Sequence, residues 1–307
     1  MNKEGKVIAK APAKINLVLD VKPLVEGQEK HKLLSVFCTT TLADTLVFDF
    51  IKGSEPFNAQ VSVDSTDFDV SFIKEKDNIV IKVVEQFKLE YGFGFLPTGT
   101  LKVQLIKSIP TQAGLGGGSS DAAAMLRMLC WLAQVDPLSE RSLSVAQKVG
   151  ADVPFFLHAP KTGLCALMEG YGDELIEELP KPLLSLVLVK PDLGVPTKKA
   201  FARFDKKSAA HENNEDPAKQ LALALKQESA LDVLVPLFSN NLEPVATTLV
   251  PEIAALKEEL CGLSGVLGAT MCGSGSAIFA VCENPEVSKA CVRHFAQKGI
   301  WTASVLT

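Results

Sequence analysis

Between Thr111 and Met125 the chain reads TQAGLGGGSSDAAAM, which places four of its 21 glycines within five positions. Glycine weakens helix and strand interiors alike, so such a run marks backbone that must turn sharply or be approached closely. Before it, GTLKVQLIKSIP sets Leu101, Val103 and Leu105 against Lys102 and Gln104, the alternation of a half-buried strand. After it, SSDAAAMLRMLCWLAQ predicts a helix, with Ser119, Ser120 and Asp121 as capping candidates. A strand that feeds a glycine turn and then a helix aims backbone N–H groups into a concavity at the helix N-terminus. Phosphate oxygens are favoured there by those donors and by the helix dipole. A tight turn with close helix–strand packing accounts for one or two of the glycines and poorly for four. Two common phosphate motifs are excluded. Ser119 stands where G-x-x-x-x-G-K-[ST] needs its lysine, and the last glycine of G-x-G-x-x-G is replaced by Ser119 or Asp121, depending on the starting point.

The rest of the composition narrows the class. At 307 residues the chain has room for two domains of about 100–200 residues each, and it is 47% hydrophobic and 22% charged. A net charge of −5 gives no basic footprint for nucleic acid or an anionic membrane. Seven cysteines at irregular positions, with no C-x-x-C pair and mostly in apolar runs, fit reduced buried thiols in a cytoplasmic protein. MNKEGKVIAKAPAK lacks the apolar core of a signal peptide, and LLSLVLV at 183–189 reads as a buried strand rather than a membrane span.

Along the chain, KVIAKAPAKINLVLDV predicts one or two strands broken at Pro12, and LADTLVFDFI and NAQVSVDS predict further strands. Ile79, Val80, Val83, Val84 and Phe87 fall on one helical face. HAPKTG reads as a connection, which suggests domains at 1–158 and 159–307, and DKKSAAHENNEDPAK at 205–219 reads as a mobile loop.

PTQAGLGGGSSDAAAML resembles the second signature of the GHMP kinases, the superfamily of galactose, homoserine, mevalonate and phosphomevalonate kinases. APAKINLVLDV resembles their first signature and MCGSGSAIFAV their third, all in the family's order. AKINL, GLGGGSSDAAA, GADVPFFL and SNNLEPV most resemble the branch that acts on diphosphocytidyl-methylerythritol. The resemblance implies an α/β (α+β) protein of two domains, a ribosomal S5 domain 2-like ATP-binding domain and a ferredoxin-like C-terminal substrate domain. It implies transfer of a phosphoryl group from ATP, with Mg²⁺, to the substrate's 2-hydroxyl. A GHMP kinase for another small alcohol and a catalytically silent nucleotide-binding module are the alternatives. Monomer and weak homodimer both stay open.

Residue by residue, Asp152 matches the catalytic base, although it also suits a helix cap before Val153 and Pro154. Lys14 matches the lysine that pairs with that carboxylate and neutralises the phosphoryl group, and its apolar neighbours argue against a plain surface position. Asn16, on the same strand face, matches a substrate contact or makes a buried structural hydrogen bond. The resemblance gives Pro110, Gly114, Leu115, Gly116, Gly117, Gly118, Ser119 and Ser120 to the nucleotide phosphates, and Lys107, Ser108 and Asn78 to the adenine side. Gly273 and Ser274, in Gly273–Ser276, would close over the site. On the cytosine side His31 aligns with a base-contacting histidine or is an exposed loop residue. Phe201, near Thr197, is a stacking residue or ordinary core. Lys30 departs from the family, which has an aromatic residue there.

Overall fold

The structure is a computed structural model that describes residues 5–25, 27–28, 30–65, 67–71, 78–159, 163–208 and 216–307. The first half of the chain runs β1 (Val7–Val21), β2 (Leu33–Lys52), β3 (Asn58–Ser65), α1 (Ile79–Tyr91), β4 (Gly99–Lys107), α2 (Gly117–Ala133), α3 (Glu140–Val149) and α4 (Val153–His158). Then come β5 (Cys165–Glu169), β6 (Glu174–Glu178), β7 (Ser185–Lys190), α5 (Thr197–Ser208), α6 (Pro217–Lys226), α7 (Leu231–Leu234) and β8 (Ser239–Asn240). The chain closes with α8 (Glu243–Leu249), α9 (Glu252–Cys261), β9 (Val266–Met271), β10 (Ile278–Cys282), α10 (Pro285–Ala296) and β11 (Trp301–Leu306). These elements form two units. One comprises residues 1–13, 43–111 and 116–160, the other 14–42, 112–115 and 161–307.

In the first unit the end of β2 pairs antiparallel with β4, and β3 pairs parallel with β4 through the α1 crossover. β4 buries Leu101, Val103 and Leu105 and exposes Lys102 and Gln104, the expected alternation. Asn78 caps α1, which turns Val80, Val83, Val84 and Phe87 inward, joined by Tyr91. α1 packs on α2 and α3, and α2 on α4.

In the second unit β5 joins the start of β2 to β6, and β8 lies parallel to Val18 and Leu19 of β1. A separate four-stranded antiparallel sheet has the order β11-β7-β10-β9. With the helices between its strands, it has a ferredoxin-like connectivity. Leu186, Val187, Leu188 and Val189 of β7 are all fully buried, as a strand covered on both faces requires. Val187 and Val189 join Ile278, Ala280, Phe295, Ile253 and Leu260 in one core.

Three expectations change, and that of buried thiols holds with one exception. β1 runs through Pro12 unbroken, because proline's φ suits extended backbone wherever no ladder donor is needed. α2 begins at Gly117 behind a left-handed Gly116, so Ser119, Ser120 and Asp121 lie inside the helix and do not cap it. Six of the seven free thiols are buried, and Cys261 is exposed. α5 extends to Ser208 and α6 starts at Pro217, so the polar stretch is partly helical. Its residues 209–215, and 160–162 of HAPKTG, lie outside the described residues.

Candidate active site

The glycines of the 114–118 run have separate reasons. Gly114 (φ 76°) and Gly116 (φ 71°) occupy the left-handed region, where a side chain is strained. A Cβ on Gly114 would stand 2.0 Å from the Cys272 carbonyl oxygen, and one on Gly117 would stand 2.9 Å from Ile109 Cγ2. Gly118 is different. It is exposed, has no positive φ, and a Cβ there would meet only Ile79 Cγ2 at 3.8 Å. Folding therefore requires three of the four, and the fourth leaves the start of α2 bare.

That start has no side-chain cap. The Ser120 N–H bonds back to the Gly116 carbonyl, whereas the N–H groups of Gly117, Gly118 and Ser119 lie in the first turn, where no intrahelical acceptor exists. Ser119 Oγ would lie 3.8 Å from a Cβ on Gly150, so the GADVP turn runs beside the helix start. Asp152 sits at the N-cap position of α4 with its backbone at φ −80° and ψ −9°, and its side chain makes no capping bond. The cap reading of Asp152 does not hold. At the head of α1, Asn78 Oδ1 accepts the Val80 N–H at 2.9 Å. Its buried Nδ2 has no hydrogen-bond partner among the described residues.

Lys107 lies inside the protein. Its ammonium donates to Asp121 Oδ2 at 2.8 Å and to Asp44 Oδ2, and all three side chains are at most 5% exposed. Two buried carboxylates thus take up the charge of Lys107. Asp44 Oδ1 also accepts the N–H groups of Ser108 (2.6 Å) and Ile109 (2.8 Å), which secures the backbone where β4 leads into Pro110 and the glycine run. Burial pushes the Asp121 carboxyl well above the usual range, and Asp44's charge adds to that against the opposing pull of Lys107. Two carboxylates share one ammonium, so the cluster approaches neutrality when Asp121 holds a proton.

In the second unit Lys14 and Asn16 share one face of β1, as their spacing predicts. Lys14 is 4% exposed. Its Nζ donates to Asn16 Oδ1 at 2.7 Å and lies 4.5 Å above the Phe37 ring. Asn16 Nδ2 donates to Ser35 Oγ at 2.9 Å, and Ser35 donates to the Val18 carbonyl. The Lys14 N–H bonds to the Leu115 carbonyl at 2.9 Å. Residues 112–115 are stitched to the third glycine-rich loop, since Ser276 N–H donates to Gln112 O and Ala277 N–H to Ala113 O. A Cβ on Gly273 would meet the Gly114 carbonyl oxygen at 2.9 Å and Asn16 Oδ1 at 3.4 Å. Ser274 Oγ and Thr197 Oγ1 stand 3.5 Å apart. Burial pushes the Cys272 thiol up to about 12, with Lys14's charge opposing.

His31 is not an exposed loop residue. Its side chain is 8% exposed, with Nε2 3.4 Å from Asp205 Oδ1 and Nδ1 3.1 Å from the Lys22 carbonyl. Its ring stacks on Phe201 at 5.0 Å and meets Phe204 edge-on at 6.0 Å. The two expected cytosine contacts are thus together, with the histidine covering one face of the phenylalanine.

The GHMP kinases N terminal domain family matches residues 78–159, and the GHMP kinases C terminal family matches 213–300. The 4-diphosphocytidyl-2-C-methyl-D-erythritol kinase of Desulfitobacterium hafniense (strain Y51) is 38% identical over 211 residues, 68% of each chain. The kinase of the same name from Carboxydothermus hydrogenoformans is 34% identical over 91% of this chain and 89% of its own. The chain belongs to the 4-diphosphocytidyl-2-C-methyl-D-erythritol kinase family of GHMP kinases. A crystal structure of 4-(cytidine 5'-diphospho)-2C-methyl-D-erythritol kinase matches with a TM-score of 0.75 at 30% identity, covering 98% of this chain and 99% of that one. The expected two-domain, mixed α/β GHMP kinase fold is the fold found, and the chain is an ATP-dependent small-molecule kinase of this family.

Two residues of this kinase escaped the sequence reading. Asp44 stood in LADTLVF as an acid inside an apolar strand, and that was its signal. Asn240, quoted only within SNNLEPV, donates to the carbonyls of Met271 (2.8 Å) and Gly273 (2.7 Å), and so seats the third loop. Among the described residues no helix is long and apolar enough to cross a membrane, and no group of three His, Cys, Asp or Glu side chains could hold a metal ion.

Proposed function

We propose that this kinase transfers the γ-phosphoryl group of ATP to the 2-hydroxyl of 4-diphosphocytidyl-2-C-methyl-D-erythritol, a step toward isoprenoid precursors. The observation that carries the reading is the bare, uncapped start of α2, beside the GADVP turn, in a chain whose relatives bear this name over nine-tenths of its length. Phosphoryl transfer needs positioning and charge neutralisation more than covalent chemistry. The N–H groups of Gly117, Gly118 and Ser119 receive phosphate oxygens, and the unpartnered Nδ2 of Asn78, with Ser108, faces the adenine. Gly273 and Ser274 of the third loop bind the substrate.

Asp152 accepts the proton of the attacking hydroxyl. Lys14 offsets the charge of the transferring group, which a buried ammonium does more strongly than a solvated one. Asn16, already hydrogen-bonded to Lys14, orients the acceptor. Mg²⁺ bound together with ATP would supply further neutralisation of the phosphate charge. The cytosine is read at His31, Phe201 and Thr197; a base placed on the His31 side of Phe201 displaces the histidine ring. Residence in the cytoplasm belongs to the same proposal, supported by seven unpaired thiols.

The test is ADP release by the purified chain over a panel of acceptors. Turnover of the cytidylated compound well above homoserine and mevalonate is expected. Equal rates on all three overturn the substrate assignment, and ATP binding without turnover of any points to a silent module.

A further inference from the structure

A pyrimidine bound through its face needs an aromatic surface on which to stack. Of the rings near His31, Phe204 is buried and Phe201 has one face covered by the histidine. A further ring stands close by. The β5–β6 turn presents Tyr171 between two left-handed glycines, Gly170 (φ 70°) and Gly172 (φ 95°), and Tyr171 is 37% exposed. The turn is well held, with Gly172 N–H on the Glu169 carbonyl at 3.0 Å and Tyr171 N–H on Asp173 Oδ1 at 2.9 Å. It also docks beside the histidine segment. Leu33 N–H donates to the Gly170 carbonyl at 2.8 Å, which continues the β2–β5 register of Ser35 opposite Met168. That bond brings the turn to Leu33, which follows Lys32, one neighbour of His31. Lys30, the other neighbour of His31, holds its ammonium 5.9 Å above the Tyr171 ring.

A cation over an exposed ring marks a face that is open to a π partner. At an exposed site that contact is weaker than base stacking, so a base can displace it. We propose that Tyr171 is a specificity-determining residue that supplies a stacking face for the cytosine of the substrate, in the place now taken by the Lys30 ammonium. This rests on the proposed activity. It gives the Lys30 position a physical reading, because the aromatic surface comes from the adjacent hairpin instead of from residue 30.

The experiment is steady-state ADP release by the full chain at saturating ATP, with 4-diphosphocytidyl-2-C-methyl-D-erythritol varied. Tyr171→Ala should raise KM for that substrate about five-fold or more, with KM for ATP and the melting temperature unchanged. Tyr171→Phe should keep the wild-type KM, and Lys30→Ala should keep or lower it. A wild-type KM in Tyr171→Ala overturns the inference, as does a Tyr171→Phe variant as impaired as the alanine, or a parallel rise in KM for ATP. If the wild-type chain itself fails to turn over the cytidylated compound, the proposed activity falls and this inference with it. Normal wild-type turnover with an unaffected Tyr171→Ala sinks the inference alone.

Discussion

At the scale of single residues, the glycine run separates folding from ligand approach. Gly114→Ala combines left-handed strain of about 1–2 kcal/mol with a Cβ placed 2.0 Å from a backbone oxygen. It should lower the melting temperature sharply. Gly118→Ala meets no obstacle and gains about 0.8–1 kcal/mol of helix propensity. It should melt at or above the wild-type temperature while KM for ATP rises about ten-fold or more; an unchanged KM would mean that no phosphate approaches Gly118. The buried cluster offers a second test. Asp121's folded pKa lies above its ordinary value of 3.8, so its contribution is favourable at low pH and is lost as pH rises through the raised value. Asp121→Asn mimics the protonated carboxyl and keeps an acceptor for Lys107. Its melting temperature should gain on wild type as pH is raised from about 5 to 8. Lys107→Met leaves two carboxylates without their cation and should cost about 3–5 kcal/mol. The glycines were legible as a group but not their division of labour, because which atom faces a missing Cβ depends on tertiary neighbours such as Ile109 for Gly117 and the distant Cys272 for Gly114.

At the scale of elements, patterns with a local cause were readable. β4's alternation, α1's apolar face and the strand at 183–189 follow from side-chain period and hydrophobicity alone. What failed were boundaries set by backbone. Pro12 does not break β1, and α2 starts two residues before its hydroxyls because Gly116 can turn left-handed. Long-range polar clamps were also illegible, since an asparagine's partners cannot be read from its neighbours. Asn240 is the leading case. Asn240→Ala removes the donors from the Met271 and Gly273 carbonyls, and each buried group left unpaired costs about 1–3 kcal/mol. The variant should lose melting temperature and kcat/KM together. Asn240→Asp, which keeps the acceptor for the Leu242 N–H but not the donors, should be impaired as much. A near-normal aspartate variant would show that the clamp does not seat the third loop.

At the scale of the molecule, the glycine-rich segment divides between the two units. Residues 112–115 belong with the third loop and Lys14, whereas 116–121 belong with α2, Asp44 and the GADVP turn. Family resemblance could name both sets of residues, because each signature is short and local. It could not foresee this division, which arises from tertiary pairing between 112–113 and 276–277. The same limit applies to His31, whose stack on Phe201 joins residues 170 positions apart. The central claim is that Lys14 and Asp152 together carry phosphoryl transfer to the cytidylated acceptor. It is tested most directly by the single-turnover rate of ADP formation with 4-diphosphocytidyl-2-C-methyl-D-erythritol in wild type, Lys14→Ala and Asp152→Asn, with ATP affinity and melting temperature measured alongside. Both variants should remain folded and bind ATP while the rate falls by about a thousand-fold or more, on the order of 4 kcal/mol of transition-state stabilisation. A wild-type rate in either variant would contradict it.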